Sequence, residues 1–523
     1  LIYCILALLP EAARTQRNLM AMVLLSISTF TVLSFGNIFT RERNLTVMVA
    51  GFLIAGILFN MHYQYSYEKD YLSEFTDSGE ALEKLETGVD RAVLSTDDPS
   101  VYRYDQMDTN SSENSSMQMG TNSTAYYFSV ASSSIANFFD EMYLNTPWEQ
   151  HYNNLDGRTI LDRLASVKYF VVKKGEESDL PYGYSRLSGE AEKKDKTYLA
   201  YADEDALPLG YTYDSWISRE DYDKMTVTEK QQALLQGVVL DDSSLPETET
   251  HFNDREVSYY TSEGKGCRLK NGKVVVTQEN AQLKLVFEGE ENAETYLITE
   301  GLDYEGLSPR EMISDKKWSK MTTYEQNKLL EENSNWRYWK ESQKASIQLE
   351  GHFLRKSIQI FTDKYNAYSG KHNFLCNTGY SEKGRHTITL TFENTGVYSF
   401  DSLKICCQPM TEIDSQTRKL GEEVLTDVKV GNNEINGNIS LSDAKALVLS
   451  IPYSEGWTAY VDGEKTGLKE ANTMYMALEL PKGDHEIHLV YCTPYLGTGL
   501  CLTCIGVLCY IVLVLINKKK KRF

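Results

Sequence analysis

Basic charge is scarce in this sequence. Its 523 residues carry 74 Asp and Glu against 53 Lys and Arg, a formal net charge of −21. Several of those cations flank apolar runs, so the polar remainder is more acidic still. Such a field repels nucleic acid, which excludes a DNA- or RNA-binding role, and its ordinary benefit is solubility. Histidine is scarce too, with 8 in all. His485 and His488 lie on one strand-like run, where alternation sends them to opposite faces and away from a shared metal. No HExxH, glycine-rich phosphate loop or GxSxG is present, so metalloprotease, nucleotide-dependent and serine-hydrolase chemistry lack a motif. Cysteine forms no framework. Cys4, Cys501, Cys504 and Cys509 fall in apolar runs, where a thiol behaves as a small hydrophobe. Cys267, Cys376, Cys406, Cys407 and Cys492 are an odd set without regular spacing, unlike a disulfide scaffold. Stability must come from packed cores, and the chain is long enough for two or three.

Long apolar runs, by contrast, are plain. Residues 1–9 are apolar but too short to cross a hydrocarbon core of about 30 Å, which takes about 20 residues. With no signal-peptide pattern after them, they read as the stump of a membrane helix. Residues 18–39 and 45–59, split by Arg41-Glu42-Arg43, are predicted spans, the second extended by Asn60 to Tyr63 at the interface. Residues 496–516 are apolar and run into Lys518, Lys519, Lys520, Lys521 and Arg522. Basic residues beside a span stay in the cytoplasm, so the C-terminus is expected inside and the region between 59 and 494 outside. Arg14 and Arg17 would then face out, against the rule, but the C-terminal cluster is the stronger signal.

The expected architecture is a multi-domain membrane protein. Transmembrane helices occupy 1–62, an extracytoplasmic α/β domain 63–205, and a β-sandwich region with helical inserts 206–445. A C-terminal β-unit over 446–493, a transmembrane helix over 494–517 and a basic tail over 518–523 complete it. Apolar spacing predicts helices over 68–92, 132–144 and 159–164, a buried strand over 166–173, and a Ser/Asn-rich loop over 110–124. After Pro208 short strands recur between Gly, Asn and Asp, among them 209–213, 282–287, 397–405 and 446–451, the pattern of antiparallel β-sandwiches. Helical inserts at 218–237 and 308–335 share a phrase, Lys224-Met225-Thr226 with Glu229 and Lys320-Met321-Thr322 with Glu325, which reads as a repeated capping box. Trp457 to Val461 closes on Asp462-Gly463, a pair suited to a tight hairpin turn.

That last stretch carries a resemblance. Pro452-Tyr453, Gly456-Trp457, Ala459-Tyr460-Val461-Asp462-Gly463, Leu480, Gly483, His485, Ile487, Leu489 and Tyr491, followed at once by a membrane helix, resemble the end of the YfhO family of bacterial membrane proteins. Tyr102-Arg103, Val167-Lys168-Tyr169-Phe170-Val171-Val172 and Leu207-Pro208-Leu209-Gly210-Tyr211 are similar to that family's other phrases in the same order, while 308–335 looks like an insertion. The resemblance implies a GT-C-like glycosyltransferase of the Gram-positive envelope. Such an enzyme takes a sugar from a polyprenyl-phosphate carrier and adds it outside the membrane to a polymer such as lipoteichoic acid. It implies partners in the bilayer, the lipid-linked sugar and the polymer. It implies no cofactor in this chain, and places the catalytic acidic residue, with any divalent metal, upstream of Leu1.

On their own terms the residues offer contacts rather than catalysis. Asp203, Glu204, Asp205, Asp241 and Asp242 read as carboxylates of solvated loops. Arg103 beside Tyr102 is the candidate for phosphate or carboxylate contact, against an internal ion pair. Trp148 and Trp457 are candidates for stacking on sugar, and Trp216, Tyr453 and Tyr460 are plausible, although an aromatic on a strand more often packs a core. The rival expectation is a non-catalytic surface protein whose sandwiches bind carbohydrate or a protein partner.

Overall fold

A computed structural model divides the chain into two units, Leu1–Lys84 and Leu85–Phe523. It describes residues 88–520 apart from 107–113, 131, 146–150, 153, 194–195, 340–342 and 352–354. The spans expected over 1–62 lie outside the described residues, as does most of the helix expected over 68–92, whose end is the helix Gly88–Leu94. The described part is mostly β-sheet.

The first sheet runs in the order Arg103–Gln106, Val167–Lys173, Lys196–Ala202, Ser185–Lys193. The first pair is parallel and the others antiparallel. A parallel pair needs a long crossover, and residues 107–166 supply it with helices Ser115–Met119, Ser133–Glu141 and Thr159–Leu164. Val167–Lys173 is buried on both faces, which is why it reads as an unbroken apolar run rather than an alternating one. The short helix Ser115–Met119 corrects the loop expected over 110–124. Composition there does favour a loop, but a tertiary bond from the buried Ser115 hydroxyl to Asp90 (2.8 Å) holds one turn of helix, and Gly120 ends it in a left-handed conformation.

Three antiparallel sheets enclose the second core. Arg255–Val257, Ser402–Pro409, Ala293–Glu300 and Phe374–Ser381 make one; Tyr259–Glu263, Ala281–Gly289, Gly384–Phe392, Lys344–Glu350 and Arg355–Phe361 another; Cys267–Lys270, Lys273–Val276, Gly396–Ser399 and Asp303–Gly306 the third. Alternation sets the faces: in Lys344–Glu350 the side chains of Ala345, Ile347 and Leu349 are buried and those between them are not. Asn271 and Gly272, both at positive φ, close the hairpin between Lys270 and Lys273. The single strand expected over 397–405 is two strands in different sheets. The break falls at Phe400 and Asp401, whose N–H groups donate to Gly272 O and Glu300 O instead of continuing one ladder.

The C-terminal sandwich packs Thr426–Val430, Glu434–Leu441, Gly483–Tyr491, Trp457–Val461 and Glu464–Thr466 over Lys469–Ala471, Tyr475–Leu480, Lys445–Leu449 and Gly210–Tyr213. Ile435, Ile439, Ile487 and Leu489 of one sheet share a core with Leu447, Leu449, Met476 and Leu478 of the other. The strand pairing therefore draws residues 426–441 and Gly210–Tyr213 into the unit whose start the sequence sets at 446. Hydrogen-bond partners so far apart leave no trace in local periodicity. Both capping boxes form: Thr226 N donates to Glu229 Oε2 (2.8 Å) and Thr322 N to Glu325 Oε2 (2.7 Å), and each Glu N–H returns a bond to its Thr hydroxyl.

Strand Gly483–Tyr491 leads into the helix Leu496–Lys520. Its stretch Leu496–Lys518 is the one helix among the described residues long and apolar enough to cross a membrane, with mean hydropathy 2.8. Apolar side chains on all its sides are exposed, a surface that suits lipid rather than water.

Candidate functional site

Arg103 opens the strand Arg103–Gln106 where the first sheet meets the C-terminal sandwich. Its main-chain N–H donates to Ser166 O (2.8 Å), which fixes the start of the parallel ladder. The guanidinium then bridges the two parts: Nη1 donates to Ala165 O (2.7 Å) and Ser450 Oγ (3.2 Å), and Nη2 to Ser450 O (2.8 Å). No carboxylate among the described residues pairs with it, so the internal ion pair weighed as the alternative does not form. Burial pulls its pKa down, although a guanidinium stays charged at any physiological pH. Three of its five N–H donors meet oxygens in these bonds.

Beside it lies a cleft of about 80 Å³ lined by Arg103, Tyr126, Phe139, Ser450, Met474 and Tyr475. The Tyr126 and Tyr475 hydroxyls are buried without a hydrogen-bond partner among the described residues, and burial raises the pKa of both. A cation with no carboxylate and two phenol hydroxyls suit an oxyanion or a sugar oxygen. Among the described residues no carboxylate or imidazole lines the cleft. Arg103→Met should lower stability by about 2 kcal/mol by stranding Ala165 O and Ser450 O, read as a lower denaturation midpoint. An unchanged midpoint would show that water replaces the guanidinium freely.

The other candidates lie elsewhere. Tyr102 carries Lys168 Nζ 4.5 Å over its ring, and Lys168 in turn meets Asp98 at 2.8 Å. Burial alone would raise the Asp98 carboxyl, but bonds from Lys168, Ser100 and Tyr169 outweigh it and hold its pKa low. Trp457 packs on Tyr491, ring centroids 5.2 Å apart, at the flank of the C-terminal core. Trp148 lies outside the described residues. Of the candidates among the described residues, Arg103 lines a cleft.

Asp203 corrects the reading of solvated loop carboxylates. It is 2 % exposed, and Arg163 Nε lies 2.6 Å from its Oδ2. Asp205 joins the same cluster through Arg163 and Arg418, whereas Glu204, Asp241 and Asp242 are not buried. A second buried group, Asp105, Asp162 and Glu294, is drawn from three segments far apart in sequence, and no spacing rule connects them. The one local signal is Asp162 and Arg163 inside an otherwise apolar helix, TILDRL, whose side chains are all buried.

A family model described as "Bacterial membrane protein YfhO" matches residues 1–503. A protein of Bacillus subtilis (strain 168), "Uncharacterized protein YfhO", is 22% identical over 516 residues, covering 96% of this chain and 53% of that protein. The chain thus spans about half the length of the curated relative it matches. Among solved structures, the mycobacterial arabinofuranosyltransferase AftD covers 78% of this chain and 63% of its own at 8% identity and a TM-score of 0.28. Latent PorU of Porphyromonas gingivalis covers 62% and 29% at 9% identity and 0.17. At these TM-scores neither likeness carries fold or function. The match over residues 1–503, by contrast, spans nearly the whole sequence, and by it the chain belongs to the YfhO family of bacterial membrane proteins.

Proposed function

We propose that the chain is the acceptor-side part of a multi-pass, GT-C-like glycosyltransferase that moves a sugar from a polyprenyl-phosphate carrier to an envelope polymer of the lipoteichoic acid type. The observation that carries this reading is the short link between the last strand, ending at Tyr491, and the apolar helix, beginning at Leu496. Residues 492–495 cannot span more than about 14 Å, so the C-terminal sandwich is held close to the bilayer, where the head group of a lipid-linked donor lies. The basic residues Lys518 to Arg522 favour a cytoplasmic end and therefore an extracytoplasmic β-rich region. In this reading Arg103, Tyr126 and Tyr475 contact the anionic or sugar part of a substrate. The acid–base carboxylate belongs to the portion of the relative that this chain does not cover.

The test is transfer of labelled sugar from a polyprenyl-phosphate donor to teichoic acid in membranes. The protein extended to the length of its relative is expected to transfer, and residues 1–523 alone are not. No transfer by either form would overturn the enzyme reading and leave a surface protein that binds carbohydrate or a partner.

A further inference from the structure

A larger cleft lies on the first helical insert. Strand Trp216–Ser218 pairs in parallel with Val238–Leu240 on one side. On the other, Trp216 N donates to Pro246 O (3.0 Å) and Thr248 N to Trp216 O (3.0 Å). Residues 246–251 are thereby laid along the tryptophan as a wall. Gln236 fixes the end of that wall: its Nε2 donates to His251 O (2.7 Å) and its Oε1 accepts from His251 N (2.8 Å). Gly237 permits the close approach, since a Cβ there would stand 2.8 Å from Thr248 Cγ2 and 2.9 Å from Ile217 Cγ1. The opposite wall is the capped helix Arg219–Asp223 and Met225.

The cleft, open to solvent, holds about 350 Å³, within the range of about 300–1,000 Å³ usual for small-ligand sites. Trp216 and Met225 are half-buried beneath it, and Asp221, Glu247, Glu249 and His251 surround them. Asp221 is bound by Lys224 and Ser218. Among the described residues the side chains of Glu247, Glu249 and His251 have no partner. An aromatic face beside free carboxylates matches the two surfaces of a sugar ring, its C–H face and its hydroxyl edge. No Lys or Arg among the described residues lines the space, so the same carboxylates repel a uronate or phosphate and accept an ammonium.

We infer that this cleft is a sugar subsite that stacks an uncharged or amino-substituted pyranose on Trp216, holds its hydroxyls with Glu247 and Glu249, and rejects anionic rings. The inference rests on the glycan-handling reading above and adds to it a site remote in sequence from Arg103 and of opposite charge. It reconciles an acidic protein with an anionic acceptor: the sugar portions, not the phosphates, enter here.

The experiment uses the whole chain in detergent, with glucose, N-acetylglucosamine, glucosamine and glucuronate as probes in saturation-transfer NMR and calorimetry. The first three are expected to bind and glucuronate not to. Trp216→Ala should weaken binding about tenfold or more. The exposed pair Glu247→Gln with Glu249→Gln should also weaken it and erase the preference for glucosamine, at an unchanged melting temperature, so that lost binding is not lost folding. No bound probe in the parent protein, glucuronate binding as well as glucose, or equal affinity in both variants would overturn the inference. Sugar binding that follows this pattern in a protein that transfers nothing would sustain the subsite and sink the transferase; transfer with no such binding would do the reverse.

Discussion

Arg163→Met should destabilise the protein by about 3–5 kcal/mol, the range for removing one partner of a buried ion pair. Arg163 is 1 % exposed. Its Nε lies 2.6 Å from Asp203, its Nη1 2.8 Å from Asp414 and its Nη2 3.7 Å from Asp205. These carboxylates come from two separate stretches, Asp203 to Asp205 and the helix Thr411–Leu420, so the guanidinium ties the helix Thr159–Leu164 to the end of the first sheet and to that second helix. Burial disfavours its charge, but the bonds from Asp203 and Asp414 outweigh that and raise its pKa. The methionine variant keeps the volume and removes the charge, leaving Asp203 buried without a cation. Arg163→Lys should recover part of the loss, because an ammonium cannot bridge two carboxylates in a fork. Gly183, at φ +91°, passes so close that a Cβ there would lie 2.8 Å from Arg163 Nη2 and 3.0 Å from Asp203 Oδ2, so Gly183→Ala should also destabilise the cluster. Denaturation midpoints of the three variants check this, and a methionine variant as stable as the parent would show that the carboxylates find water or protons at little cost.

Arg163 also marks the limit of what the sequence tells. The helix Thr159–Leu164, the strand Val167–Lys173, both capping boxes and the hairpin at Asp462-Gly463 are legible because each is written in neighbouring residues. The membrane helix is legible for the same reason. What is not local is not legible. Gly210–Tyr213 pairs with Lys445–Leu449, and alternation says which face of a strand is apolar without naming its neighbour. Asp203 looks solvated beside Glu204 and Asp205, and only the fold brings Arg163 against it. The candidate site divides likewise. Arg103 stands out as a cation beside Tyr102, but its cleft mates Tyr126 and Tyr475 come from segments that no spacing rule connects, and the Trp216 wall is built from residues 246–251, which carry no sequence pattern that places them there.

The second large effect is one of pH. Asp162→Asn should stabilise the protein at pH about 8 and change little near pH 4, with the difference growing between them at up to about 1.4 kcal/mol per pH unit for the one proton removed. Asp162 is fully buried, and neither of its carboxylate oxygens has a hydrogen-bond partner among the described residues. Burial raises its pKa well above the usual range, repulsion from Asp105 and Glu294 adds to this, and Lys356 opposes it. Burial likewise pushes Asp105 up to about 7 against the N–H bonds from Gln106 and Leu155. In the unfolded chain these carboxyls ionise near pH 4, so above that the folded state binds the more protons. The advantage of the folded state is whole below about pH 4 and shrinks as pH climbs from there through about 7. His485, 2.8 Å from Asp462, has a raised pKa through that bond and loses stabilisation with rising pH in the same direction. The difference between variant and parent, rather than the slope of the parent, therefore cancels His485 and reports Asp162 together with the carboxylates it repels, Asp105 and Glu294. A difference that stays flat from pH 5 to 8 would mean that Asp162 is already ionised at the lower value and held by groups other than the carboxylates around it. A difference that rises as expected would make this buried acidic group a cost to the fold at neutral pH, one that Lys356, itself 2.6 Å from Asp156, offsets only in part.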